Sequence, residues 1–391
     1  MNYTPDEIMQ YIEEEDVSFI RLAFRDAFGV QKNISIMPGE LKKAFDEGIS
    51  ISAREIRGFQ GSESGRLYLR PDASTLALLP WRPDSGRVVR MLCDVYTPEG
   101  EPFSGDSRLV LRKAVDRARA AGVEFRFGSA SEFYLFKKDD MGNPTKIPYD
   151  EAGYMDIAPL DRGENIRREI CLTIEKMELV PERSHHERGP GQNEIDFRFG
   201  KPVKAADQMT TFKMVVQTVA DRNGLVADFS PLPLPGAPGN GYHINIYVAD
   251  KEGNDLCRYA AAGIIDKIRD MTLFLNPSDG SYARFGNGTA PDRVNWSSGE
   301  RSELIHISEY NGKTRLELRS PDALSNPYLV YALLIHAGLY GIEKRLELPL
   351  EMDVDGALLP QSRKEARGAA EESAFIRDIL PEAIIHEYVT F

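Results

Sequence analysis

Three strand-like runs gather charged or polar side chains on one face and a fourth run sets two glutamates about a turn, and this constrains the fold more than any other feature of the chain. Successive side chains on a strand point to opposite faces. In TRLELRS the rule sets Arg315, Glu317 and Arg319 on one face and Leu316 and Leu318 on the other. In GYHINIYV it groups His243, Asn245 and Tyr247 against Tyr242, Ile244 and Ile246. In ASEFYLF it groups Ala130, Glu132 and Tyr134 against Phe133 and Leu135. The fourth run, SHHERGPGQNEIDF, has Glu187 and Glu194 on either side of a Gly-Pro-Gly turn, so the loop can bring two carboxylates together. A strand inside a large domain with Arg-Glu-Arg on one face is either at solvent or lines an anion and metal site.

The rest of the chain reads as α+β. Thr4 to Glu15 has the marks of a helix: Thr4 can cap, Pro5 occupies the first position, and Asp6 and Glu7 suit the positive end of the helix dipole. SFIRLAFRDAFG alternates before a glycine, as a half-buried strand and turn would, and LYLRPD, LALLPW and VVRMLCDVY read as further short strands. Thr97 to Arg108 is polar and turn-rich, a linker candidate. After it the sequence predicts helices over 109–121, 205–223, 255–274 and 326–347, packed around a mixed antiparallel sheet built from the four runs.

Composition excludes several roles. With 391 residues, two domains are expected. A formal net charge of -13 is a poor basis for binding nucleic-acid phosphates, which needs clustered Lys and Arg. No apolar run reaches the roughly 18–20 residues that span a bilayer, and the acidic N-terminus is unlike a signal peptide. Cys93, Cys171 and Cys257 are widely spaced and form no CxxC pair. They read as thiols of a reducing compartment, and the cytoplasm is the simplest address.

Glutamates with one histidine suit Mg²⁺ or Mn²⁺, the hard cations that accompany nucleotide phosphates. Arg284, Arg301, Arg315 and Arg319 are candidates to stabilise a transferring phosphoryl group. Each signal also has a plain structural reading. A single Glu at a strand start is commonly solvated, and His185 and His186 read as structural, or at most as supports of the ligands. The order and spacing of the set carry the weight.

SEFYLF, SHHERGPGQNEIDF, PGNGYHINI, WSSGERSELIHI and TRLELRSPDALSNPYL stand in the order of the glutamine synthetase signatures. FIRLAFRDAFGVQKNI, REIRGF and CDVYTPEGEPFSGDSR resemble the small domain of the bacterial type I enzymes. The resemblance runs from about residue 5 to residue 390. It implies a β-grasp-like N-terminal domain over residues 1–104 and a catalytic domain over 105–391, with an antiparallel sheet and surrounding helices. It also implies activation of glutamate by ATP as γ-glutamyl phosphate, captured by ammonia, with two divalent metals between neighbouring subunits. On this resemblance Glu132, Glu187 and Glu194 are ligands of the first metal, and His243 and Glu317 of the second. Arg284 and Arg319 hold the glutamate carboxylates, Arg301 and Arg315 face the phosphates, Phe199 belongs to the ATP site, and Gly239 lies in the glutamate loop.

The departures from the family pattern are informative. Ala130 stands where the family has a further metal-binding glutamate, on the same strand face as Glu132. The family motif Asp-Gly-Ser-Ser, whose Asp helps bind ammonium, is here Ser52-Ala53-Arg54-Glu55. The loop before Ala290-Pro291 is one residue shorter, with Thr289 in place of the glutamate that takes the proton from the amine. His306 replaces an active-site arginine, and Pro238 an asparagine. Selecting ammonium needs fixed negative charge, and attacking with it needs a base; Ser52 and Thr289 supply neither. Three readings follow: a ligase for a small amine other than ammonia, an ordinary glutamine synthetase, or a catalytically inactive relative with a binding role. The family type I tail beyond EAIIHEYVTF is missing, so a homo-oligomeric ring is expected as a hexamer, with the stacked dodecamer in doubt.

Overall fold

The computed structural model describes residues 3–60, 65–82, 85–287, 290–299, 301–310, 312–352 and 356–391. They form two compact units: Met1–Val110 with Glu175–Leu179 and Leu380–Phe391, and Leu111–Ile174 with Val180–Ile379.

The first unit opens on a helix, Pro5–Glu14. The Thr4 hydroxyl accepts from the Glu7 amide while the Glu7 carboxylate accepts from the Thr4 amide, so two helix-end donors are satisfied reciprocally. The strands are β1 (Val17–Arg25), β2 (Gln31–Ile36), β3 (Ile49–Ser52), β4 (Arg66–Pro71), β5 (Ala77–Leu78) and β6 (Arg87–Tyr96). They order as β2-β1-β6-β4-β3, with β5 on β6 and the β1–β6 pair parallel. Ile20, Leu22, Leu67, Leu69, Val89 and Met91 fill the core beneath the opening helix. The last helix, Glu382–Thr390, belongs to this unit: Tyr388 stacks on Phe28 with centroids 4.5 Å apart, and its hydroxyl donates to the Ala27 carbonyl at 3.2 Å.

The second unit holds β7 (Val123–Lys138), β8 (Pro144–Pro148), β9 (Pro181–His186), β10 (Gln192–Gly200), β11 (Leu225–Asp228), β12 (Tyr242–Asp250), β13 (Trp296–Ser297), β14 (Ile305–Tyr310) and β15 (Lys313–Leu318). Their order is β13-β14-β15-β12-β7-β10-β9, with β8 and β11 both on β7. The pairs are antiparallel except β13 with β14, so the sheet is mixed at that edge rather than antiparallel throughout.

Register sorts the faces as the period of two requires. Tyr242, Ile244 and Ile246 lie opposite Ser131, Ser129 and Phe127, on the face that meets helix Pro327–Lys344. There Phe127 stacks on Tyr331 at 4.2 Å, and the Tyr242 and Tyr331 hydroxyls share a hydrogen bond of 2.7 Å. The other face carries Glu194 opposite Glu132, then Asp196, Ala130 and His243 side by side, then Asn245 beside Glu317.

Helix Pro327–Lys344 also packs on helix Cys257–Leu275 with no room for side chains at the crossing. A Cβ on Gly263 would sit 2.1 Å from the Ala337 carbonyl oxygen, and one on Gly341 would sit 2.1 Å from that of Tyr259. Neither contact is with a movable side chain. Gly263→Ala is therefore expected to lower stability by about 3 kcal/mol, read from the urea midpoint. An unchanged midpoint would mean that the two backbones do not approach this closely.

Candidate active site

The charged face of the large sheet opens into a cavity of about 370 Å³. Glu132, Glu187, Glu194, His243, Glu317, Gly239, Arg284, Arg301, Arg315 and Arg319, ten residues scattered over nearly two hundred positions of sequence, all line it. β7 presents Glu132 and β10 presents Glu194 directly across from it. The Gly189–Gly191 turn brings Glu187 back beside Glu194, and Glu187, Glu194 and His185 place ligand atoms within 4.8 Å of one another. Glu132, Glu194 and His243 form a second such group, so Glu194 is common to both.

The carboxylates are held in place by neutral donors. The Glu132 carboxylate accepts from the Gly241 amide at 2.8 Å and from Gln192 Nε2 at 3.0 Å. Gln192 also donates to the Gly239 carbonyl at 3.1 Å and accepts from the Gly189 amide at 2.9 Å, which ties the two loops together. Below them, His186 Nδ1 faces the Glu187 carbonyl at 2.7 Å and Nε2 faces Asp150 at 2.9 Å. Both partners are acceptors, so both ring nitrogens carry protons. Burial is the largest influence and opposes that charge, but the bonds to Asp150 and the Glu187 carbonyl, with the charges of Asp150 and Asp161, together outweigh it and raise the pKa of His186.

Six arginines also line the cavity, yet burial and mutual repulsion govern two of its acids. Burial, and then the charge of Glu187, raise Glu132 to about 7. Burial, and then Glu132, Asp196 and Glu187, push Glu194 well above the ordinary carboxylate range. Burial, with Arg319, Arg284 and Arg301 behind it, holds His243 well below its usual pKa, so its ring is neutral and has a lone pair to offer. Buried acids with oxygen atoms this close, next to a neutral imidazole, fit a divalent cation. Glu317 differs: Arg319 pairs with it closely, Arg315 approaches at 3.7 Å, and His243 Nδ1 lies 3.8 Å away.

Arg284 is 1% exposed, on the short helix Asp279–Arg284, and donates to the Ser320 and Pro321 carbonyls. Its stem lies against the Gly239 backbone, where a Cβ would come within 2.7 Å of Arg284 Cγ. Only glycine leaves that arginine its place. Phe199 is exposed at the end of β10 and is not among the side chains lining this cavity. Ser52 lies in the first unit, in a polar depression with Ser50, Arg54 and Arg66. Thr289 lies outside the described residues.

The structure adds residues that the sequence reading passed over. His185, expected to be structural, lines the cavity with Nε2 3.4 Å from Glu194. Arg183 and Arg188 line it too, as do Tyr154 and Met155 from the loop before residue 164. Arg183 and His185 share one face of β9 and Glu187 follows just past its end, but a histidine pair before a Gly-Pro-Gly turn does not announce a strand. Among the described residues no helix is long and apolar enough to cross a membrane.

Residues 104–391 match the glutamine synthetase catalytic domain, and residues 16–98 match the glutamine synthetase beta-Grasp domain. The chain belongs to the glutamine synthetase family. The glutamine synthetase of Clostridium saccharobutylicum is 42% identical over 378 residues, 93% of this chain and 85% of that protein. That of Methanosarcina mazei is 39% identical over 394 residues, 97% and 88% of the two chains. The solved structure titled GmaS/ADP complex-Conformation 1 superposes with a TM-score of 0.89 at 25% identity, covering 100% of this chain and 95% of that one. As a glutamine synthetase family member the chain is an ATP-dependent ligase of nitrogen metabolism, from a family that works with divalent metal ions.

Proposed function

We propose that this ligase activates glutamate with ATP and transfers the γ-glutamyl group to a small primary amine other than ammonia. The observation that carries the reading is the loss of fixed negative charge at the two positions assigned to ammonium, now Ser52 and Thr289. A neutral hydroxyl neither selects a small cation nor takes its proton at neutral pH. An alkylamine draws binding energy from its carbon skeleton instead. Tyr154 and Met155 give the cavity apolar surface beside Glu187 and His185, which a carbon skeleton would cover and ammonium would leave bare.

In this reading Arg284 and Arg319 hold the glutamate carboxylates and Gly239 shapes the loop over them. Arg301 and Arg315 face the ATP phosphates, with Phe199 further along the nucleotide site. Glu132, Glu187 and Glu194 would hold one Mg²⁺ or Mn²⁺, and His243 and Glu317 a second, which when bound would offset the charge of the phosphates and of the acids themselves. The γ-carboxylate oxygen attacks the terminal phosphorus and ADP leaves. The amine nitrogen then attacks the acyl carbon, phosphate leaves, and the proton lost from nitrogen passes to solvent or to a cavity carboxylate. A homo-oligomeric ring, a hexamer or a dodecamer, belongs to the same proposal.

A second reading has its own support, since the curated relatives at 38–42% identity are named glutamine synthetase. Phosphate release from ATP and glutamate with Mg²⁺ or Mn²⁺, across ammonium and a panel of primary amines, separates the two. Release with an amine and not with ammonium is the expected result. Release with ammonium at equal or higher kcat/KM would make the chain a glutamine synthetase. Silence in every well, with ATP still bound, would leave a binding role.

A further inference from the structure

Pro238 has no N–H, so the backbone of this residue can be tied down only through its carbonyl. Tyr134 supplies the tie: its hydroxyl donates to the Pro238 carbonyl oxygen at 2.6 Å. Tyr134 is buried on β7, two residues after Glu132, with its ring stacked on Phe136 at 5.7 Å and 9°. The hydroxyl is also wedged against the Gly-Pro-Gly turn, where a Cβ on Gly189 would come within 1.9 Å of it. One phenol thus spaces the turn after Glu187 from the loop that carries Gly239. The next residue of that loop is fixed as firmly. The Asn240 amide donates to the Pro231 carbonyl at 2.8 Å, and its buried side chain donates to the Asp228 and Ser230 carbonyls at 3.1 and 2.9 Å.

We infer that Tyr134 is a positioning residue for the carboxylate substrate: by holding the Pro238 carbonyl it sets the place of Gly239 and, through it, of the Arg284 side chain in the cavity. The chain of contacts is direct. Gly239 lies between the Pro231 carbonyl oxygen and the Arg284 stem, where an added Cβ would stand 2.6 Å from the first and 2.7 Å from Cγ of the second. A shift of this loop therefore bears on Arg284. Gly239, Gly241 and Arg284 line the cavity, whereas Tyr134, Pro238 and Asn240 are not among its lining residues. Tyr134 acts on binding without touching the bound molecule. The inference rests on the reading of Gly239 and Arg284 as the glutamate subsite.

The test uses the full chain and Tyr134→Phe, which keeps the buried ring and removes only the hydroxyl. Phosphate release is followed with ATP, Mg²⁺ or Mn²⁺, and whichever acceptor, ammonium or an amine, supports it in wild type. Calorimetry gives the glutamate Kd with the same metal and a non-hydrolysable ATP analogue. Losing the donor is expected to raise both KM and Kd for glutamate roughly tenfold, with kcat and the KM for ATP near their wild-type values. Asn240→Ala, which frees the same loop from the Asp228 and Ser230 carbonyls, is expected to show the same split, so the inference stays testable if Tyr134→Phe folds poorly. An unchanged glutamate KM, whatever happens to kcat, or an equal rise in the KM values for glutamate and ATP, would overturn the assignment and make the hydroxyl a contact of the fold alone, with the glutamate reading still standing. A wild-type chain that binds no glutamate would overturn that reading, and this inference with it.

Discussion

Glu194→Gln is expected to make the metal-free protein more stable at pH 8 while abolishing its response to Mn²⁺. Glu194 is 7% exposed and lies among Glu132, Glu187 and Asp196, which with burial raise its pKa far above the ordinary value of 4.5. Between the unfolded and folded pKa values the folded chain binds the extra proton, so stability falls as pH rises through that window. Glutamine keeps the shape and has no proton to lose. The variant should therefore gain about 2 kcal/mol over wild type at pH 8, a difference that closes towards pH 5. Mn²⁺ should reverse the order, because a cation that binds only the folded state stabilises wild type and finds a ligand missing in the variant. Urea midpoints in chelator and in excess Mn²⁺, at both pH values, check this. A variant less stable than wild type in chelator at pH 8 would mean that the carboxylate is already neutralised by the protein.

Ala130→Glu is the second large effect. Ala130 lies in register between Asp196 on one neighbouring strand and His243 on the other, on the face that lines the cavity. A glutamate there would extend into the space next to His243 and Glu317. Those two are the proposed partners of the second cation, and Glu317 is also paired with Arg319. Two protein ligands, one of them neutralised, make a weak site without nucleotide. The added carboxylate should raise Mn²⁺ affinity of that site by about tenfold or more and lower the metal concentration needed for half-maximal activity. It should also lower the stability of the metal-free protein at neutral pH, since it adds a fifth acid to Glu132, Glu187, Glu194 and Glu317. Mn²⁺ titrations of both proteins without nucleotide check the prediction. Identical binding curves would place Ala130 away from the cation.

The charged sheet face was legible in sequence because a strand states its two faces by alternation alone. Arg315, Glu317, His243 and Glu132 needed nothing further, and Thr4 with Glu7 announced the first helix just as locally. Loops carry no such period. Tyr154 and Met155 come from an irregular segment in which Met155 has φ of 61°, a conformation that alternation does not signal. His186 finds its partner Asp150 at a separation of 36 residues, which no local pattern records. The last helix reaches its unit through Tyr388 on Phe28, a contact between the two ends of the chain. His185 is a different case: it shares a face of β9 with Arg183, but a histidine pair before a Gly-Pro-Gly turn reads as loop until β9 is seen beside β10.

The central claim, that the acyl acceptor is an amine other than ammonia, is tested most directly by competition. The full chain, ATP, glutamate and Mn²⁺ are incubated with equal concentrations of ¹⁵N-ammonium and a primary amine that supports phosphate release, and the products are weighed by mass spectrometry. The account predicts γ-glutamyl-alkylamide in large excess over ¹⁵N-glutamine. ¹⁵N-glutamine as the main product would contradict it and make the chain a glutamine synthetase that works without acids at Ser52 and Thr289.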